Sequence, residues 1–88
     1  MPGACRIGDQ NNGGGKILEG VGSVIVNGKP IAVVGAKLSP HGKGKHASAT
    51  VVEGSGTVIA EGKGVTFIGA GNDCGHSNQT GSGDVIVG

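Results

Sequence analysis

An internal repeat constrains this chain more than any other feature of its sequence. Residues 20–37, GVGSVIVNGKPIAVVGAK, align with residues 54–71, GSGTVIAEGKGVTFIGAG, at an offset of 34 with eight of eighteen positions identical. Each copy reads as an apolar, β-branched run, a two-residue turn and a second apolar run. Asn27-Gly28 is a pair that tight hairpin turns select, because both turn positions require positive φ, and Glu61-Gly62 holds the matching place. A third copy starts at Gly81-Ser82-Gly83-Asp84-Val85-Ile86-Val87-Gly88 and lacks its second run. That run stands at the other end of the chain, where Gly3-Ala4-Cys5-Arg6-Ile7-Gly8-Asp9 matches Pro30-Ile31-Ala32-Val33-Val34-Gly35-Ala36. The first and last strands are therefore expected to pair, completing a third hairpin and covering two strand edges.

The fold expected is all-β: one glycine-rich, pseudo-threefold cone over residues 1–88, built of three β-hairpin repeats. Three connectors, residues 10–19, 38–53 and 72–80, should gather at one end of the body. Helix is not expected, because glycine interrupts every window long enough to hold one. With 21 glycines in 88 residues and Phe67 as the single aromatic, such a body buries little apolar surface. It needs a staple: a metal, a disulfide or a partner surface.

Charge and hydropathy exclude several classes. The net charge is +1, and Lys43 and Lys45 make no basic run with interleaved aromatics, so nucleic acid is not an expected partner. They read as solvated loop charges. No stretch approaches the ~20 apolar residues of a membrane span, and no charged segment followed by an apolar run marks a signal peptide. Export, if any, would use a machine that carries folded protein. Gly13-Gly14-Gly15-Lys16 lacks the GxxxxGK[ST] spacing and the following helix of a phosphate loop.

The staple is visible in the second and third connectors. They carry all three histidines, in Pro40-His41-Gly42-Lys43-Gly44-Lys45-His46 and in Asp73-Cys74-Gly75-His76. Taken singly, each histidine reads as an ordinary loop residue. Together, His41, His46, Cys74 and His76 supply three imidazole nitrogens and a thiolate, a complete tetrahedral zinc set. Cys74 and His76 are two apart, so an extended segment points both the same way. The four residues between His41 and His46 allow both rings to reach one point. A set that fills all four positions with protein atoms is closed, and therefore structural. The thiolate favours zinc over iron or nickel. Cys5, among small residues, reads as a buried thiol, and a Cys5–Cys74 disulfide is the lesser alternative.

The strand–NGKP–strand–Gly unit resembles the repeat of PAAR proteins, the sharp cones that cap the VgrG spike of type VI secretion systems and the spikes of contractile phage tails. The name-giving tetrapeptide corresponds to Pro30-Ile31-Ala32-Val33. A second copy lies in Gly3-Ala4-Cys5-Arg6-Ile7-Gly8-Asp9 and the weakest in Gly64-Val65-Thr66-Phe67. The resemblance covers nearly the whole chain, so an added effector domain is not expected. It implies a zinc near the vertex, held by His41, His46, Cys74 and His76. This chain departs from the family at Asn12-Gly13-Gly14, where many members carry a histidine before the glycines. It departs again at Val33, where the consensus has arginine, so that arginine's contacts would survive at Arg6.

The expected function is mechanical. One cone would cap and sharpen each trimeric VgrG-like or phage spike, and pierce an envelope when a contractile sheath fires, with effector cargo as a possible passenger. The protein would stay in the bacterial cytoplasm until firing, or ride at a phage tail tip. It is not expected to be an enzyme or to insert stably in a membrane. A zinc hydrolase would need one candidate ligand off the metal and a base, with Asp73 or Glu53 nearest. The other alternative is a free-standing, metal-stapled binding or adhesion module.

Overall fold

The computed structural model describes residues 2–42, 44 and 49–87. The expected ligand His46, with Lys43 and Lys45, lies outside the described residues. Two hairpins form where the repeat places them. Strand β1 (Val21–Val26) pairs antiparallel with β2 (Lys29–Ile31), and β3 (Ile59–Ala60) with β4 (Lys63–Gly64). Both turns have two positive φ angles, 53° and 81° at Asn27 and Gly28, and 49° and 81° at Glu61 and Gly62. This is the backbone twist that two-residue hairpins require.

The second hairpin is shorter than the repeat suggests, and a hydroxyl explains why. The Ser55 Oγ accepts from the backbone N–H groups of Thr57 (3.0 Å) and Val58 (2.9 Å). The Ser82 Oγ does the same for Asp84 (3.0 Å) and Val85 (2.9 Å). Such local bonds compete with strand pairing. The first repeat has Val21 at this position, and its arm remains β1, with a register shift between Val21 and Ile25. The Val65-Thr66-Phe67-Ile68 segment likewise forms single bridges, Val33 to Val65 and Ala4 to Phe67, instead of a continuous strand.

The third hairpin is split, as expected. The Ala4 N–H donates to the Val85 carbonyl and the Val87 N–H to the Pro2 carbonyl, each at 2.8 Å. The three repeats then close on one another in two tiers. In the first, Cys5 N–H donates to Thr66 O (3.1 Å), Thr66 N–H to Ala32 O (3.0 Å), and Ala32 N–H to Cys5 O (2.9 Å). All three residues are fully buried and small, as a convergence of three backbones demands.

The second tier joins the connectors around the same axis. Leu18 N–H donates to Lys37 O, Val52 N–H to Gly71 O, and Gln79 N–H to Gln10 O, at 2.8, 3.1 and 2.7 Å. A parallel set runs from Ser39 to Lys16, Asp73 to Thr50, and Asn12 to Ser77, at 2.8, 3.0 and 2.9 Å. Gly8, Gly35 and Gly69, with φ of 92°, 94° and 95°, turn the chain between the tiers at equivalent places. The connectors therefore gather at one end. The body spans 32 × 23 × 22 Å. Its two near-equal cross-sections agree with a small β cone. Among the described residues no helix is long and apolar enough to cross a membrane.

The core has two layers. Ala4, Val21, Val26, Ile31, Val33, Ala60, Val65 and Val87 fill the hairpin end. Cys5, Ile17, Ala32, Ala36, Leu38, Ala49, Val51 and Cys74 fill the connector end. Most are small, and even a fully buried valine or isoleucine contributes only about 1.5–3 kcal/mol. Polar bonds reinforce the split repeat. Arg6 clasps Asp9 through Nε to Oδ2 (2.9 Å) and Nη2 to Oδ1 (3.1 Å), and Thr80 Oγ1 donates to Asp9 Oδ1 at 3.0 Å. Arg6 Nη1 also reaches Asn27 Oδ1 (3.2 Å), whose Nδ2 donates to Asp84 (2.8 Å). The first, last and β1–β2 segments are thereby tied together.

Burial alone would raise the Asp9 carboxyl, but hydrogen bonds from the Arg6 side chain and backbone and from Thr80, with the guanidinium charge, hold it below its usual value. Its contribution to stability is fully present above the unfolded value of about 3.9 and is lost as pH falls through the lower folded value. Thermal melting with chelator present should show the midpoint falling below about pH 4. Asp9→Asn should lower the midpoint at neutral pH and flatten that acid limb. An unchanged acid limb would contradict the role given to Asp9.

Candidate metal centre

The third connector makes a tight turn closed by Asn72 N–H to His76 O (2.8 Å), with Gly75 at φ 92°. A side chain at position 75 would strain this left-handed backbone. The turn presents Cys74 and His76 on one side, as their spacing predicts. The first connector makes the same turn, closed by Asn11 N–H to Gly15 O (2.8 Å) with Gly14 at φ 91°. There the positions equivalent to Cys74 and His76 are Gly13 and Gly15. The second connector brings in His41, whose Nδ1 lies 2.9 Å from the Ser39 carbonyl. A proton on Nδ1 donated to that carbonyl leaves Nε2 as the metal-facing atom.

Three donor atoms converge. His41 Nε2 and His76 Nδ1 are 3.2 Å apart, and each lies 3.5 Å from Cys74 Sγ. Tetrahedral bonds of ~2.0–2.1 Å to nitrogen and ~2.3 Å to sulfur give edges of about 3.3 Å between nitrogens and about 3.6 Å between nitrogen and sulfur. The triangle matches one face of that tetrahedron within about 0.1 Å. Cys74 is buried and both imidazoles are half-buried, with ring centroids 5.1 Å apart. His41, Cys74 and His76 thus form a group that can hold a metal ion. The sequence named these three residues as ligands.

The sequence did not mark the glycines that make room for them. A Cβ on Gly13 would collide with the His76 ring, and one on Gly15 would stand 2.5 Å from His41 Nδ1. The signal was the Gly13-Gly14-Gly15 run itself, whose use becomes visible once the connectors are superposed on the threefold axis. Asp73 and Glu53 accept hydrogen bonds from neighbouring segments. Asp73 accepts from Thr50 N–H (3.0 Å) and Thr50 Oγ1 (3.2 Å), and Glu53 accepts from Gly71 N–H (2.9 Å).

Cys5 and Cys74 are both free thiols. Burial, with the Asp9 charge adding to it, pushes the Cys5 thiol up to about 12, and its Sγ donates to Thr80 O at 3.2 Å. Cys5 should therefore resist iodoacetamide in the native protein and react only on unfolding; rapid native modification would overturn its placement. Gly13→Ala and Gly15→Ala should each weaken cobalt(II) binding by about tenfold or more, through displaced rings. Gly22→Ala, which meets nothing within 4 Å, should leave it unchanged.

No curated protein matches this chain. A family model, the PAAR motif, matches residues 7–77 of the 88. That span runs from the end of the N-terminal repeat segment to the residue after His76, so it takes in both complete hairpins and all three described donors. The closed threefold body and the match together make the chain a member of the PAAR-motif family.

Proposed function

We propose that this protein is a spike tip: it seats on the end of a trimeric β-helical spike and gives it a sharp, rigid point. The observation that carries the reading is a threefold body made from one chain of a PAAR-motif family member. A trimer's end has true threefold symmetry, and each repeat of the tip can face one chain of the trimer. The hairpin end supplies a matching contact. Ile25, Ile59 and Ile86 occupy equivalent places in the three hairpins and are 56%, 53% and 46% exposed. Val58 and Val85, each one residue earlier in its hairpin, are exposed as well.

The role is structural and the metal serves it. Zinc suits two imidazoles and a thiolate, with His46 the candidate for the fourth position. Bound there, the ion joins the second and third connectors, and its binding free energy adds to folding free energy. The VgrG-like spike of a type VI secretion system or the spike of a contractile phage tail is the partner class, and a contractile sheath supplies the force. The protein would wait in the bacterial cytoplasm or at a tail tip until firing, with effector cargo carried on the same assembly.

Native mass spectrometry of protein purified without added metal should show one zinc per chain. Cys74→Ser combined with His76→Ala should abolish it and lower the melting temperature by more than about 10 °C. A metal-free double variant that melts like the parent would remove the structural role. Mixed with its cognate spike, the protein should form a complex of one tip to three spike chains. Ile25→Glu, Ile59→Glu and Ile86→Glu together should abolish that complex while zinc content is retained. Three tips per trimer, or binding unaffected by the substitutions, would contradict the docking face.

A further inference from the structure

The core layer beneath the metal centre is not apolar throughout. Around the axis three cross-connector bridges are equivalent: Ile17 with Leu38, Val51 with Asn72, and Asn78 with Asn11. At the same threefold positions one repeat thus uses Ile and Leu where another uses two asparagines. A buried amide is costly unless it is hydrogen-bonded, so apolar residues are the simpler choice here. Asn11, Asn72 and Asn78 are 1%, 6% and 2% exposed.

Their amides form a continuous chain. Asn78 Nδ2 donates to Thr66 Oγ1 (2.8 Å) and Phe67 O (3.1 Å) beside the axial ring. Asn72 Nδ2 donates to Asn78 Oδ1 (3.0 Å), and Asn11 Nδ2 to Asn72 Oδ1 (2.9 Å). The chain ends at the first connector, where Asn11 Oδ1 accepts from Gly13 N–H (3.0 Å) and Gly15 N–H (2.8 Å). Those two glycines are the ones against which the His76 and His41 rings lie.

We propose that Asn11 is a positioning residue for the metal centre, its amide oxygen fixing the backbone of residues 13–15 that seats the His76 and His41 rings. The amide chain anchors that oxygen to the axis of the fold. The first connector therefore contributes to the site without lending it a donor among the described residues. It limits where the two imidazoles can go, so the donor triangle is set before an ion arrives. This inference rests on the metal-binding reading and adds to it a residue that is not one of the three donors.

The test is cobalt(II) titration of the apo-protein, read by the thiolate-to-cobalt charge-transfer band and the tetrahedral d–d bands, with apo melting measured in parallel. Asn11→Ala should weaken cobalt binding by about tenfold or more and change the d–d intensities. Val26→Ala, in the hairpin-end layer, should lower apo stability and leave affinity unchanged. Asn11→Asp retains an oxygen for the two glycine N–H groups but cannot donate to Asn72. It should destabilise the apo-protein yet bind cobalt within about threefold of the parent or tighter, which separates positioning from stability and stands in if Asn11→Ala does not fold. Parent-like affinity and spectrum in Asn11→Ala, or losses in both Asn11 variants that simply follow their stability, would overturn the proposal. A parent protein that binds no cobalt would overturn the metal reading itself, and the positioning role with it.

Discussion

Three backbone hydrogen bonds, closing a ring through Cys5, Thr66 and Ala32, determine what the rest of the molecule can be. Each joins a different pair of repeats, so the ring closes only when all three repeats are present. The ring admits only small side chains around it, and it leaves the hairpins to splay on one side and the connectors to meet on the other. A second tier of six connector bonds repeats the closure with a different set of residues. With little apolar volume to bury, the body gains definition from satisfied backbone groups at its centre, where leaving any one unpaired would be most costly.

Closure also explains how three unequal copies coexist. The repeats share backbone geometry closely and side chains loosely. Where one has Val21, the others have Ser55 and Ser82, whose hydroxyls fold the strand arm into a turn. Where one connector offers Cys74 and His76, another offers Gly13 and Gly15. The threefold frame thus acts as a set of equivalent positions on which differing chemistry is placed. The metal group draws on two connectors for donors and on the third for space.

Much of this was legible in the sequence. The two turn pairs, the split third hairpin and the meeting of the connectors follow from a repeat whose register is set by glycine and β-branched residues. Cys74 and His76 were legible because two-residue spacing survives in a short turn, and His41 because it lies in the equivalent connector of the repeat. The asparagines were not legible. Asn11 and Asn12 lie side by side in a polar, glycine-rich stretch, yet Asn11 is buried and Asn12 exposed. No local pattern tells which of two adjacent amides faces an axis that exists only after closure. The shortened strand arms were missed for a related reason, since a serine hydroxyl can serve a strand or a turn and its neighbours decide.

The split repeat has a consequence for attachment. Pro2 and Val87 sit against each other in one hairpin, at the opposite end of the body from the donor triangle. Any polypeptide joined to either end would leave from the same flank of the hairpin end and would have to pass along the outside to reach the connector end. The connector end itself is made of chain interior. Pulling on either end would therefore load the pair of terminal strands, while compression along the axis would press the stacked hydrogen-bonded tiers together. The two kinds of load are borne by different bonds.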